Sequence, residues 1–248
     1  MKKFLSSRRK FLVPGFIVLA VFLFLLIFTQ KDRFLTEDAR FEKFTQQIFT
    51  EEVKSNTLNL HYTLAYPEKY GIKDYSIKLG CMDPDKLKEG YDSVEKYKEK
   101  LEKFTYKELS KDNRLTYDIL NLDFATQLSI KDNYMLQEPL SPNLGIQSQL
   151  PVLLAEYTFR TADDIKDYFT LLSSMTSYFD EILEFEKKKA EEGLFMSDTS
   201  VDRIIEQCNA FTEDISTNYL STMFKDKMNK FVSRKAMTKK QADSYIKM

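Results

Sequence analysis

A chain of 248 residues with 43% hydrophobic and 30% charged side chains is long enough for one large or two small globular domains, and too apolar to be disordered. Its net charge of −1, with both signs intermixed, excludes the basic face that phosphate neutralisation requires, so no nucleic-acid partner is expected. Only 6 Gly and 6 Pro, beside 20 Phe and 14 Tyr, point to helices around an aromatic core, because a sheet-rich chain needs more turn residues.

The charge is unevenly placed. Lys2, Lys3, Arg8, Arg9 and Lys10 precede an apolar run over residues 11–28, FLVPGFIVLAVFLFLLIF, and the remainder of the chain is net −6. Eighteen residues at about 1.5 Å each reach ~27 Å, close to the hydrocarbon thickness of a bilayer. A cleaved signal peptide would have a shorter apolar core and a small-x-small site, whereas Thr29-Gln30-Lys31-Asp32 follows here. The expectation is a cytoplasmic tail over residues 1–10, one uncleaved anchor helix over residues 11–28, and an extracytoplasmic body over residues 29–248. The chain would then be a single-pass protein of the cell membrane.

The body reads as a succession of helices. Thr36 caps the first, with Glu37 and Asp38 in its first turn and Phe41, Phe44, Ile48 and Val53 at helical spacing. Residues 56–66 alternate at Leu58, Leu60, Tyr62 and Leu64, which fits a strand, an extended link or a short helix equally. Asp83-Pro84 starts a helix carrying Leu87, Tyr91, Val94, Leu101 and Phe104. Another begins near Asp112, with Leu115, Ile119, Leu122 and Ala125 as its apolar stripe. Thr161 to Asp164 forms a capping box before a long stripe of Ile165, Tyr168, Leu172, Met175, Phe179 and Ile182, closed by Gly193. Helices follow around Val201 to Phe211 and Met223 to Val232, and a last one opens at Thr238 and runs to the end without a breaker.

Between the two helical halves lies EPLSPNLGIQSQLPVLLAEYTF, residues 138–159, which holds Pro139, Pro142, Pro151 and Gly145. Such a concentration of helix breakers predicts an extended, Pro- and Gly-containing stretch. It is either one wall of a substrate cleft, with Gly145, Gln147 and Gln149 lining it and Glu156 and Tyr157 behind, or a buried crossing of Leu150, Val152, Leu153 and Leu154.

Motifs for catalysis are missing. His61 is the sole histidine, so a His-Glu-x-x-His zinc helix cannot be assembled, and a structural role is expected of it. Asp83 and Asp85 begin a calcium-loop pattern that Leu87 and Lys88 break. Ser-x-x-Lys occurs at Ser7, Ser93 and Ser244, as often as chance provides, and without Lys-Thr-Gly. Glu181 and Glu184 belong to a helix rich in lysine, including Lys187, Lys188 and Lys189, and read as a solvated face. Cys81 and Cys208 match no metal or redox spacing.

SPNLGIQSQLPVLLAEYTF, the later EKKKAEEGLFMSD and the earlier FEKFTQQIFTEEVKSNTLNLHYTLAYPEKYGI together resemble the domain-of-unknown-function 885 family of bacterial proteins. The resemblance implies a largely α-helical protein about double this length. The second half of such a protein carries His-Glu-x-x-Pro-Gly-His-His and acts as a zinc-dependent hydrolase of peptides or similar substrates. No counterpart of that segment stands in this sequence, so zinc is expected only in a full-length relative and no catalytic or metal-binding residue is carried over. The expectation is an all-α, membrane-anchored N-terminal half, truncated at its C-terminus and inactive alone, whose partner is a C-terminal catalytic half. A free-standing module for a peptide or protein ligand is the alternative.

Overall fold

A computed structural model of the chain describes residues 35–214 and 216–247. The expected cytoplasmic tail and the anchor over residues 11–28 lie outside the described residues. Among the described residues no helix is long and apolar enough to cross a membrane. Those residues form helices and turns without a strand, which agrees with the all-α expectation. In chain order they are α1 (Glu37–Ser55), α2 (Thr57–Thr63), α3 (Pro84–Leu101), α4 (Lys111–Ser129), α5 (Ile146–Glu156), α6 (Ala162–Glu191), α7 (Asp198–Thr212), α8 (Tyr219–Ser233) and α9 (Lys239–Ile246). The undecided residues 56–66 contain the short helix α2.

Local chemistry sets the helix ends. Asp83 Oδ1 accepts the backbone N–H of Asp85 and of Lys86, each at 3.0 Å, with Pro84 as the first helical residue. Thr161 with Asp164, and Thr238 with Gln241, form reciprocal capping boxes at the starts of α6 and α9. Gly193 adopts φ 72°, the left-handed turn that ends α6.

The described residues fall into two compact units. The first comprises residues 35–48 and Lys98–Asp123. Phe41, fully buried, meets Phe104 edge-on at 5.3 Å, beside the buried Leu101 and Leu109. Asp38 Oδ1 accepts the N–H of Ser110 at 2.7 Å and the amide of Asn113 at 2.9 Å, which holds its carboxyl below the usual range.

The stripe expected for α4 is not the one it buries. Leu115, Ile119, Leu122 and Ala125 are exposed, while Tyr117 and Leu120 are half-buried and Phe124 is buried. Both sets recur at helical spacing about half a turn apart, so periodicity alone cannot tell which faces the protein.

The second unit comprises Phe49–Tyr97 and the residues from Phe124 onward. Its core gathers Leu154 and Tyr157 at the end of α5, Ile165, Tyr168 and Leu171 of α6, Met228 and Phe231 of α8 and Ala242 of α9. Fully burying side chains of this size contributes about 1.5–3 kcal/mol each. A smaller cluster joins Val53, Leu60, Leu64 and Ile72.

Residues 138–159 are not one extended stretch but a turn and a helix, which corrects the extended conformation expected there. A turn in which Gly145 N–H donates to Ser141 O and Ile146 N–H to Pro139 O leads directly into α5. Leu150 and Leu154 are buried, whereas Val152 and Leu153 are exposed, the pattern of a helix face. Pro151 sits inside the helix and leaves the Gln147 carbonyl without its usual donor, a defect that in general costs about 3 kcal/mol. Burial of Leu150, Pro151, Leu154 and Ala155 offsets that loss. The proline is tolerated because packing holds both ends of the helix.

Candidate functional site

A cleft of about 400 Å³ is lined by residues of α2 and α5, among them Leu58, Asn59, Tyr62, Gln149, Leu150 and Leu153. The short helix α2 cannot be stable by itself, and Asn56 supplies the missing support. Its Oδ1 accepts the N–H of Leu58 at 2.8 Å and of Asn59 at 3.2 Å, while its Nδ2 donates to Leu79 O at 2.7 Å. Across the cleft, Tyr62 OH donates to Leu153 O at 2.6 Å, occupying a carbonyl of the last turn of α5.

Two side-chain amides in this cleft are half used. Asn59 Oδ1 accepts from Thr63 Oγ1 at 3.2 Å, leaving its Nδ2 as a donor. Gln149 Nε2 donates to Leu144 O at 2.8 Å, leaving its Oε1 as an acceptor. One donor and one acceptor above an apolar lining are what an extended peptide backbone engages.

Of the five residues expected to meet substrate, Gln149 lines this cleft and the others stand elsewhere. Gly145 is the N-cap of α5, where a Cβ would collide with the Gln147 side chain and the Ser141 backbone. Gln147 is buried and acts as a strut. Its Nε2 donates to Ser141 O at 2.6 Å and to Gln207 Oε1 at 2.9 Å, and Gln207 Nε2 donates to Pro142 O at 2.7 Å. Gln147 Oε1 is buried without a hydrogen-bond donor. Glu156 is exposed at the end of α5, and Tyr157 is only 1% exposed. Because the collision at Gly145 involves backbone, Gly145→Ala should destabilise the fold by about 2 kcal/mol. Urea unfolding checks this; an unchanged midpoint would show that the turn yields freely.

Tyr157 owes its position to His61, against which its ring stacks at 3.7 Å and 16°. Thr158 N–H donates to His61 Nε2 at 3.1 Å, and Arg160 Nη1 lies 3.1 Å from Nδ1. Burial, then the Arg160 charge, lower the pKa of the imidazole to about 4, with Asp164 opposing. Burial likewise pushes the Tyr157 phenol well above its usual range. Lys227 Nζ donates to the carbonyls of Ala155 and Tyr157 and holds the end of α5 from the other side.

This setting does not fit zinc. One imidazole nitrogen is occupied by a backbone N–H and the other faces a guanidinium, so neither is offered to a cation. Among the described residues no group of three or more His, Cys, Asp or Glu side chains could hold a metal ion. Cys81 and Cys208 are free thiols.

Sequence reasoning passed over a second polar feature. The α6 stripe of Ile165, Tyr168, Leu172, Met175, Phe179 and Ile182 continues at the same spacing to Glu186 and Lys189, both buried. Lys189 Nζ donates to Gln137 O at 2.8 Å and Glu138 Oε1 at 3.1 Å, and lies 3.9 Å from Glu186 Oε2. Burial holds the Glu186 carboxyl above the usual range, Lys189 lowers it and Glu138 raises it. Extending the stripe by two positions would have found the pair.

Comparison with known proteins places these features in a family. No curated protein sequence matches the chain. A crystal structure described as that of "the putative lipoprotein from Colwellia psychrerythraea" matches with a TM-score of 0.69 at 14% identity, covering 86% of this chain and 37% of that one. At that identity the likeness shows the fold alone, and the chain spans well under half of that protein's length. Residues 67–247 match the profile of a family described as "Bacterial protein of unknown function (DUF885)". With well over half of its length inside that profile, the chain belongs to the DUF885 family of bacterial proteins.

Proposed function

We propose that this chain is the substrate-holding, non-catalytic part of a longer, zinc-hydrolase-like DUF885 protein of the cell envelope. The observation that carries the reading is the cleft of α2 and α5, where the uncommitted Asn59 Nδ2 and Gln149 Oε1 stand over Leu58 and Leu150. A peptide lying there would exchange backbone hydrogen bonds with both amides and bury apolar side chains between them. Gly145 and Gln147 shape the start of α5, and Tyr157 with His61 fixes its end, so these residues hold Gln149 in place and do not meet the peptide.

Catalysis is assigned to a C-terminal portion outside this sequence. The fold neighbour's greater length supports a larger functional unit, and its description as a lipoprotein supports an envelope location. Together with the apolar run over residues 11–28, that favours a body held at the membrane on its outer side.

The full-length chain, purified in lipid nanodiscs, is expected to carry no stoichiometric zinc and to leave a mixed peptide library intact. It should nevertheless bind extended peptides, and Asn59→Leu with Gln149→Leu should weaken that binding about tenfold. One tightly held zinc per chain, or hydrolysis abolished by a chelator, would overturn the non-catalytic reading. Peptide affinity unchanged in the double variant would remove the cleft from it.

A further inference from the structure

The cleft of α2 and α5 has a further wall, to which α6 contributes Tyr178. The ring is half-buried and packs against the main core. A phenol buried to this extent ordinarily finds a hydrogen-bond partner, yet among the described residues none reaches the Tyr178 hydroxyl. Glu181, one turn further along α6, accepts the N–H of Met82 at 2.7 Å instead. Burial, then the Glu181 charge, raise the pKa of the phenol, so it keeps its proton at neutral pH. The hydroxyl is therefore a donor in need of an acceptor.

Charge gives a second, independent observation. None of the ten residues lining the cleft is charged, in a chain where 30% of residues are. Asn56 is committed to the start of α2 and to Leu79 O, and the Tyr62 hydroxyl to Leu153 O. What stays available is neutral: Asn59 Nδ2, Gln149 Oε1 and the Tyr178 hydroxyl. The floor between them is apolar, with Leu79 and Leu150 both buried and Ile146 beside them. A charged ligand group entering here would lose its water and meet no opposite charge.

We propose that the cleft selects a peptide segment with an uncharged, apolar side chain, and that Tyr178 is its third polar anchor. The side chain enters over Leu79, Ile146 and Leu150, and the phenol donates to a backbone carbonyl beside it. This selectivity rests on the peptide-holding reading of the cleft and adds to it a class of ligand and a residue that recognises it.

The test titrates the full-length chain, in nanodiscs of neutral lipid, with acetyl-Ala-Ala-Leu-Ala-Ala-amide and with its analogues having Lys or Glu at the centre. Empty nanodiscs serve as the reference. The Leu peptide should bind at least about tenfold more tightly than either charged one. Tyr178→Phe keeps the ring and its packing, and should weaken the Leu peptide about fivefold without changing the order of the three. Leu153→Glu alters a rim position that is already 38% exposed. It should raise the affinity for the Lys peptide and lower that for the Glu peptide, whereas a merely structural disturbance would weaken all three alike. A charged peptide binding as tightly as the Leu peptide would overturn the proposal. So would a Leu affinity unchanged in Tyr178→Phe, or an effect of Leu153→Glu that ignores the charge of the peptide. If binding in those cases still weakens in Asn59→Leu with Gln149→Leu, the cleft remains a peptide site and only its selectivity falls. Failure of all three peptides to bind removes both.

Discussion

Between pH 6.5 and pH 4 the folded chain should lose about 3 kcal/mol of stability through His61 alone. The folded imidazole has its pKa lowered from 6.5 to about 4, chiefly by burial and then by Arg160. Within that window the unfolded chain binds a proton that the folded chain refuses, so stability rises with pH. The contribution is fully present above pH 6.5, is lost as the pH falls toward 4, and changes no further below. His61 is 6% exposed, so solvent screening removes little of it. The raised carboxyls of Glu186 and Asp167 act with the opposite sign. They are present in both proteins, so the difference between the parent and His61→Gln isolates the imidazole. Urea unfolding at pH 7 and pH 4.5 should show a markedly flatter pH response in the variant. Parallel responses would mean that the stacked ring is protonated without penalty.

The second large effect concerns Lys189. Replacing it with Met keeps most of the buried volume but removes the charge shared by Glu186 and Glu138 and the donor to the Gln137 carbonyl. Breaking one side of a buried pair typically costs about 3–5 kcal/mol, because the surviving charge is stranded. Lys189→Met should therefore destabilise the protein by about 3 kcal/mol, as read from urea midpoints. Glu186→Leu added to it should recover a large part of the loss, since the double variant strands no charge at Glu186. If the two substitutions simply add, Lys189 and Glu186 are not coupled, and Lys189 serves Glu138 and Gln137 alone.

What the sequence discloses follows the range of the forces concerned. Helix starts at Asp83-Pro84, Thr161 and Thr238 are legible because capping joins residues three apart. The buried face of α4 is not, since Leu115 and Phe124 belong to two stripes of similar period and only the neighbours decide between them. Pro151 misleads for a related reason: the rule that proline breaks helices is local, whereas burial of α5 is not. Gln149 was reachable by reading the stretch, but Asn59 and Tyr62, the residues that face it, lie some ninety positions earlier. No spacing rule connects them. Glu186 and Lys189 carry charge, which ordinarily marks a solvated face, yet their register on α6 places them in the core.

The long reach of these contacts bears on how the chain comes to be folded at all. Helices are normally credited with rapid, local folding. Here, however, the contacts that fasten α2 and the start of α3 span 91 residues from Tyr62 to Leu153, 97 from His61 to Thr158, 99 from Met82 to Glu181 and 103 from Asp85 to Lys188. At ribosomal speeds of roughly 5–20 residues per second, α2 leaves the ribosome on the order of 5–20 seconds before the segments that secure it. During that interval Leu60 can join its neighbours Val53, Leu64 and Ile72, but Leu58 lacks the core that α5 and α6 supply.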